Sequence, residues 1–235
     1  MAPAAGRTGA IVVGAGGGRR LGGVEKAFLE VGGKPLIAHS VDVFERAAAV
    51  DIVCLVVAAG SVARTRELGA ALSWKKTSAV VPGGAERHDS VRAGLEALRD
   101  CEWVLVHDAA RPLLTERLIT DGLAAARRTG AAVAATPMRD TLKRAHGTGV
   151  HPEVVETVDR SQLWAAQTPQ VFRAALLRES LAVLSANAAQ LTDDGAVVQA
   201  AGHRVCLYPG DPQNVKLTLP EDVALVEALL AWRMK

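Results

Sequence analysis

The sequence predicts an α/β fold in which a mostly parallel, twisted sheet carries helices on both faces. Three observations predict it. Short runs rich in valine and isoleucine alternate with alanine- and leucine-rich stretches of helical length; the first apolar run, residues 10–13, passes directly into a glycine-rich loop; and a later run, residues 103–107, ends on an acid, Asp108. Strand and helix in alternation imply right-handed crossovers between parallel strands, and such sheets bury both faces. Ligands then sit beyond the carboxyl ends of the strands, so the glycine loop and Asp108 are expected to share one edge.

Taken in chain order, residues 10–13 (Ala-Ile-Val-Val) are apolar without alternation, as suits a strand buried on both faces. A helix is expected over 36–47, a strand over 52–58, a helix over 62–72, a short strand at 79–81 and a helix over 89–98. The strand at 103–107 precedes a helix at 116–128 and a strand at 131–136. Farther on, helices are expected over 173–186 and 193–201, a strand at 205–208, a short strand at 215–218 and a last helix over 221–232, with Pro220 at a first-turn position where its missing N–H costs little.

One stretch breaks this rhythm. Between Met138 and Trp164 two polar-flanked runs surround His146-Gly147-Thr148-Gly149, which is the pattern of a hairpin. A lone hairpin is marginal in water, and a second copy of the chain is the economical surface for it to pack on. The chain therefore reads as one domain over 1–235, with 138–164 as a hairpin dimerisation arm.

The 235 residues are 49% hydrophobic and 22% charged, enough for a substantial core. A formal charge of +2 is too mild for a nucleic-acid coat or a polybasic membrane anchor, and no apolar run reaches the length of a membrane span. Neither nucleic acid nor membrane is expected as a partner. Cys54, Cys101 and Cys206 are unclustered and odd in number, which suits buried thiols in a reducing cytoplasm. The six histidines show no metal-ligand spacing, so His88, His107 and His203 read as polar or packing residues.

The loop after the first strand runs Gly14-Ala15-Gly16-Gly17-Gly18-Arg19-Arg20-Leu21-Gly22-Gly23, with Lys26 close behind. Small residues leave backbone N–H groups open to a polyanion, and three cations stand by to neutralise it. The dinucleotide pattern fails in both registers, since its third glycine would fall on Arg19 or Leu21, and the Walker A pattern fails because Lys26 lies between Glu25 and Ala27. A dinucleotide-dependent oxidoreductase is thereby disfavoured.

Further strings extend the pattern: Gly83-Gly84-Ala85-Glu86-Arg87-His88-Asp89-Ser90, His107-Asp108-Ala109-Ala110-Arg111-Pro112, Arg139-Asp140-Thr141-Leu142-Lys143, Val158-Asp159-Arg160, Thr168-Pro169-Gln170, Thr192-Asp193 and Asn214-Val215-Lys216. In this order, over nearly the whole chain beyond its first nine residues, they resemble the polyol-phosphate cytidylyltransferase family. The nearest likeness is to its 2-C-methyl-D-erythritol 4-phosphate branch in non-mevalonate isoprenoid biosynthesis. The resemblance implies a Rossmann-like nucleotidyltransferase fold, CTP and a polyol phosphate as substrates, Mg²⁺ or another divalent cation as cofactor, and a homodimer joined through the hairpin arm.

It also implies site residues. Arg20 and Lys26 would stabilise the transition state, and Arg160 and Lys216 would hold the substrate phosphate. Ala15, Gly16, Gly18, Gly83, Arg87, Ser90 and Ala109 would contact the nucleotide. Asp108 would lie beside the metal-bound triphosphate, and Arg111, Thr141 and Thr192 would join Asp108, Arg160 and Lys216 around the acceptor. Thr141 and Arg160 would reach the neighbouring subunit's site.

A phosphomonoester is largely dianionic at neutral pH, so the chemistry asks for positioning and charge stabilisation rather than a general base. Two departures stand out. Val13-Gly14 replaces the family's Pro-Ala, and Glu25 replaces the proline before the loop lysine, where a carboxylate can pair with Lys26 and blunt its charge. Rival readings are a D-ribitol 5-phosphate cytidylyltransferase, which differs in a few hydroxyls and a methyl, and a non-catalytic nucleotide-binding regulator.

Overall fold

The computed structural model describes residues 6–16, 25–147, 149–183 and 191–233. Eleven strands are found among them: β1 (Thr8–Val13), β2 (Glu30–Val31), β3 (Lys34–Pro35), β4 (Ile52–Val57), β5 (Thr77–Pro82), β6 (Trp103–Asp108), β7 (Ala131–Pro137), β8 (Leu142–His146), β9 (Glu153–Val158), β10 (Trp164–Arg173) and β11 (Cys206–Pro209). The α-helices are α1 (Leu36–Arg46), α2 (Val62–Ala71), α3 (Arg87–Ala97), α4 (Glu116–Thr129), α5 (Ala174–Ala182), α6 (Asp194–Ala200) and α7 (Asp222–Arg233).

Seven strands form one sheet in the order β11-β7-β10-β6-β1-β4-β5. All neighbouring pairs are parallel except those of β10, which runs antiparallel to both β6 and β7. The alternating side chains of each strand feed two cores. Ala10, Val12, Val53, Leu55 and Leu105 pack with α1 and α4 through Ile37, Val41, Phe44, Leu118 and Ile119. Ile11, Cys54, Val56, Val104 and Val106 pack with α3, α5 and α6 through Val91, Leu95, Leu177 and Val197. Both faces of β1, β4 and β6 are thus dry, which is why those strands read as unbroken apolar runs.

Two helix ends show their causes locally. Thr115 caps α4 by accepting the Leu118 N–H at 3.3 Å, and Gly130 ends it in the left-handed region at φ 88°, with its N–H on the Ala126 carbonyl. The Gly32-Gly33 pair, with φ of 57° and 75°, closes the two-residue turn between β2 and β3 that delivers the chain into α1.

The expected hairpin is present, with β8 and β9 paired antiparallel from Leu142↔Val158 to His146↔Glu153. Two expectations need correction. The stretch 215–218 forms no strand; it is held as an irregular segment by the bond from the Leu217 N–H to the Ala110 carbonyl at 2.8 Å. The expected helix 173–186 starts one residue later and ends at Ala182, while 184–190 lie outside the described residues. The sequence also gave no warning of β10, whose Gln167-Thr168-Pro169-Gln170 stretch looks unlike a central strand. The ladder to β7 accommodates it with a register shift between Ala166 and Gln170.

After β1 the chain moves to β4 and β5 on one side, and after β6 it continues to β7 and β10 on the other. The order of strands therefore reverses at the β1–β6 boundary. In sheets of this kind that boundary opens a crevice at the carboxyl ends.

Candidate active site

The crevice is real: a cleft of about 550 Å³ opens there, lined among others by Gly14, Ala15, Gly16, Lys26, Arg87, Ser90, Asp108, Ala109 and Lys216. Val13 and Asp108 are direct register partners at the ends of β1 and β6, and the Ala109 N–H donates to the Val13 carbonyl at 2.9 Å. The two motifs expected on one edge are joined backbone to backbone.

The β5–α3 turn forms the second wall. A side chain at Gly83 would come within 2.3 Å of the Ala15 Cβ and 2.7 Å of the Ser90 Oγ, so only glycine lets this turn lie against the first loop. Ser90 Oγ accepts the Gly84 N–H at 3.2 Å and fixes the turn from below. Arg87 is the first residue of α3, two residues earlier than the sequence suggests, and its guanidinium enters the cleft from there.

Charge in the cleft is organised around Asp108. Lys216 Nζ donates to Asp108 Oδ2 at 2.7 Å, while Arg87 Nε and Nη2 donate to Oδ1 at 3.3 and 3.2 Å. Arg87 Nη1 in turn donates to Asp194 Oδ2 at 2.7 Å. Burial pushes the Asp108 carboxyl up, but Arg87 and Lys216 outweigh it and hold Asp108 well below the usual carboxylate range. For Asp194, burial prevails over the pull of Arg87, and its carboxyl lies above the usual range.

Asp108 is also fixed through its backbone. His107 Nε2 lies 3.0 Å from the Arg111 carbonyl and must donate to it, so Nδ1 accepts the Thr168 hydroxyl at 3.0 Å. Thr168 Oγ1 accepts the Asp108 N–H at 3.1 Å. Burial keeps this imidazole neutral, with its pKa lowered to about 4.

Lys26, in a single 3₁₀ turn, donates from Nζ to the Leu217 carbonyl at 2.9 Å, which ties it to the segment that carries Lys216. The Glu25 carboxylate accepts a hydrogen bond from the Ser61 hydroxyl. That contact ties Glu25 to the start of α2.

The cleft brings together Ala15, Gly16, Lys26, Arg87, Ser90, Asp108, Ala109 and Lys216 of the anticipated residues, with Gly83 packed directly behind them. Gly18 and Arg20 lie outside the described residues. Arg111, Thr141, Arg160 and Thr192 do not line the cleft of their own chain. Arg111 donates to the Asn214 and Ala166 carbonyls at 2.7 and 3.3 Å and is a brace for the Lys216 segment. Arg160 is exposed at the base of the arm, bonded to the Arg139 carbonyl, and Thr141 and Thr192 are exposed.

Sequence reasoning missed Asp194 and the orienting role of His107. The signal for Asp194 was faint: two successive acids precede an apolar helix, where the cap needs only Asp193, which accepts the Ala196 N–H at 2.7 Å.

Asp108 and Glu86 are the carboxylates along this cleft, and no group of three or more metal-ligating side chains is found among the described residues. Glu86 is exposed, whereas Asp108 is ionised and faces the space between the glycine loop and Lys216. That donor set fits a hard divalent cation that takes one protein carboxylate and fills its remaining positions with phosphate oxygens and water.

Known proteins resemble this chain over nearly its whole length. The model of the 2-C-methyl-D-erythritol 4-phosphate cytidylyltransferase (IspD) family matches residues 8–232. The chain is 41% identical to the 2-C-methyl-D-erythritol 4-phosphate cytidylyltransferase of Dehalococcoides mccartyi, over 95% of this chain and 96% of that one. It is 42% identical to the enzyme of the same name from Geobacillus kaustophilus, over 96% and 97%. The crystal structure of 2-C-methyl-D-erythritol 4-phosphate cytidylyltransferase from Thermus thermophilus superposes with a TM-score of 0.73 at 35% identity, covering 94% of this chain and 98% of that one.

Proposed function

The chain belongs to the 2-C-methyl-D-erythritol 4-phosphate cytidylyltransferase family, and on that premise we propose that the cleft beyond β1 and β6 is where its two substrates meet. The reaction is transfer of the cytidylyl group of CTP to 2-C-methyl-D-erythritol 4-phosphate, giving 4-diphosphocytidyl-2-C-methyl-D-erythritol and pyrophosphate in the non-mevalonate pathway. An oxygen of the acceptor phosphomonoester attacks the α-phosphorus of CTP. A new P–O bond forms as the bond from the α-phosphorus to the bridging oxygen of pyrophosphate breaks, and pyrophosphate leaves with the electron pair.

Each residue has a part set by charge. The backbone of Gly14, Ala15 and Gly16 cradles the nucleotide, with Gly83 and Ser90 forming the wall on which the base rests. Lys26, with Arg20 six residues earlier in the chain, offsets charge that grows on the α-phosphate and the leaving group. Lys216 turns from Asp108 toward the acceptor phosphate, and Asp108 is the carboxylate that would hold Mg²⁺, which neutralises the triphosphate when bound. The observation that carries this reading is the convergence of Lys26, Arg87 and Lys216 with the glycine loop on one cleft.

The acceptor side is completed by a second copy. Thr141 and Arg160 stand on or beside an arm that exposes Val150, Val154 and Val155, and this exposure supports a homodimer in which the arm reaches the partner's cleft. Three unpaired thiols support a cytoplasmic setting.

The experiment is an end-point reaction of the purified chain with CTP, Mg²⁺ and one acceptor at a time, the nucleotide product being read by mass spectrometry. Product with 2-C-methyl-D-erythritol 4-phosphate in preference to D-ribitol 5-phosphate supports the reading; product with ribitol phosphate alone overturns the acceptor, and no pyrophosphate with either overturns the activity.

A further inference from the structure

Asp194 lies one element removed from the cleft, yet it makes the shortest contact of the Arg87 guanidinium. The distance from Arg87 Nη1 to Asp194 Oδ2 is 2.7 Å, against 3.2 and 3.3 Å from the other edge of the same group to Asp108. Asp194 is 1% exposed. Its own placement is over-determined: Gln170 Oε1 accepts the Gly195 N–H at 2.9 Å, and Gln170 Nε2 donates to Asp193 Oδ2 at 2.8 Å, so β10 pins the start of α6.

The four side chains form a row of alternating charge, Lys216, Asp108, Arg87 and Asp194, that sums to zero. We propose that Asp194 is a positioning residue for the transfer reaction: it anchors Arg87 from behind, so that the guanidinium meets Asp108 edge-on and leaves Oδ2 of that carboxylate to Lys216. The inference rests on the reading of the cleft given above.

The physical reason is competition for Arg87. A triphosphate entering the cleft pulls every mobile cation toward itself, and a guanidinium with five donors can chelate phosphate or carboxylate equally well. Held at its far end by a buried carboxylate, Arg87 stays where it is. Released, it would slide toward the phosphates or take over the whole Asp108 carboxylate and displace Lys216. Nucleotide affinity would survive such a slide, since a cation still faces the phosphates. Alignment at the α-phosphorus would not.

Asp194→Asn keeps the shape and an acceptor while removing the charge. We expect kcat to fall roughly 10–100-fold, the scale of a small misplacement at a reacting centre, with KM for CTP unchanged or lower and the circular dichroism spectrum unchanged. A merely structural role would lower the amount of active enzyme and the melting temperature together, without this separation of kcat from KM. The double variant Arg87→Ala with Asp194→Asn should lose no more than Arg87→Ala alone, because Asp194 acts only through Arg87.

Should Asp194→Asn fail to fold, Asp194→Glu carries the test: it keeps the charge, moves the guanidinium, and should lower kcat without raising KM for CTP. Wild-type kcat in whichever variant folds, or losses that multiply in the double variant, would overturn the proposal. If instead Arg87→Ala itself keeps wild-type kcat and both KM values, Arg87 leaves the site and the reading of the cleft falls with it. The two failures are therefore distinguishable.

Discussion

Lys216 Nζ stands 2.7 Å from Asp108 Oδ2, so the cation we propose for the acceptor phosphate rests on the carboxylate we propose for the nucleotide's metal ion. The contact holds Lys216 poised until a phosphate offers it a stronger partner. Without Lys216 the acceptor loses its anchor, and kcat/KM for the polyol phosphate in Lys216→Ala should fall roughly 10²–10³-fold, the scale of removing one preorganised charge. Its side chain is 43% exposed, so solvent screens the pair and the melting temperature should change little. Steady-state kinetics with each substrate varied in turn checks this; equal losses for CTP and the acceptor would remove Lys216 from the acceptor side.

Arg160 does not line its own chain's cleft, and Arg20 follows four residues after Gly16, which does. If sites are shared between copies, an Arg20→Ala chain and an Arg160→Ala chain can each supply what the other lacks. Each variant alone should be nearly inactive, and refolded mixtures should regain part of the wild-type rate through hybrid sites. Mixed dimers, verified by a tag on one chain, that stay as inactive as either parent would contradict sharing.

His107 is fully buried and neutral, with its pKa lowered by burial from 6.5 to about 4. In the unfolded chain it protonates near 6.5, so below that pH the unfolded state binds a proton that the folded state refuses. The stabilising contribution is therefore complete above pH 6.5 and is lost as the pH falls toward 4, by about 3 kcal/mol in all. Asp194 works against this trend, because its raised carboxyl takes up a proton in the folded state first. A proton NMR titration isolates the imidazole: the His107 signal should stay in its neutral position down to pH 5, and a midpoint near 6.5 would contradict the account.

Gly14 is the residue through which the chain leaves β1 for the glycine-rich stretch. Its φ is not in the left-handed region, and a Cβ there would meet Ala109, Ala27 and Ile37 at 3.4, 3.5 and 3.5 Å, ordinary packing distances. Gly14→Ala should therefore stabilise the fold by about 0.4–1 kcal/mol, chiefly by restricting the unfolded chain. Urea unfolding measures this directly. A destabilised variant would mean that the loop needs the glycine for a movement absent from this conformation.

How much of this was legible in the sequence depended on where polar groups ended up. Ile11, Val12, Val56 and Val104 betrayed their strands because both faces of the sheet are dry there, and unbroken apolar runs have few other uses. β10 stayed hidden because Gln167, Thr168 and Gln170 are buried polar residues, acceptable only through partners far away in the chain: Asp211, His107 and Asp193. Periodicity carries no information about such partners. The cleft followed the same division. Lys26, Arg87, Asp108 and Lys216 could be named from local strings, whereas the ladder joining Lys216, Asp108, Arg87 and Asp194 spans chain separations of 108, 21 and 107 residues and needed the fold. Glu25 is a further case, since its contact with Ser61, 36 residues away, could not be read from its neighbours in the chain.

The most direct measurement is a crystal structure of the chain with CTP and Mg²⁺. The triphosphate should lie over Gly14, Ala15 and Gly16, within reach of Lys26, with the metal beside Asp108 and Arg87 still bound to Asp194. A nucleotide bound anywhere else on the molecule, or one seated here with its phosphates pointing away from Lys26 and Asp108, would contradict it.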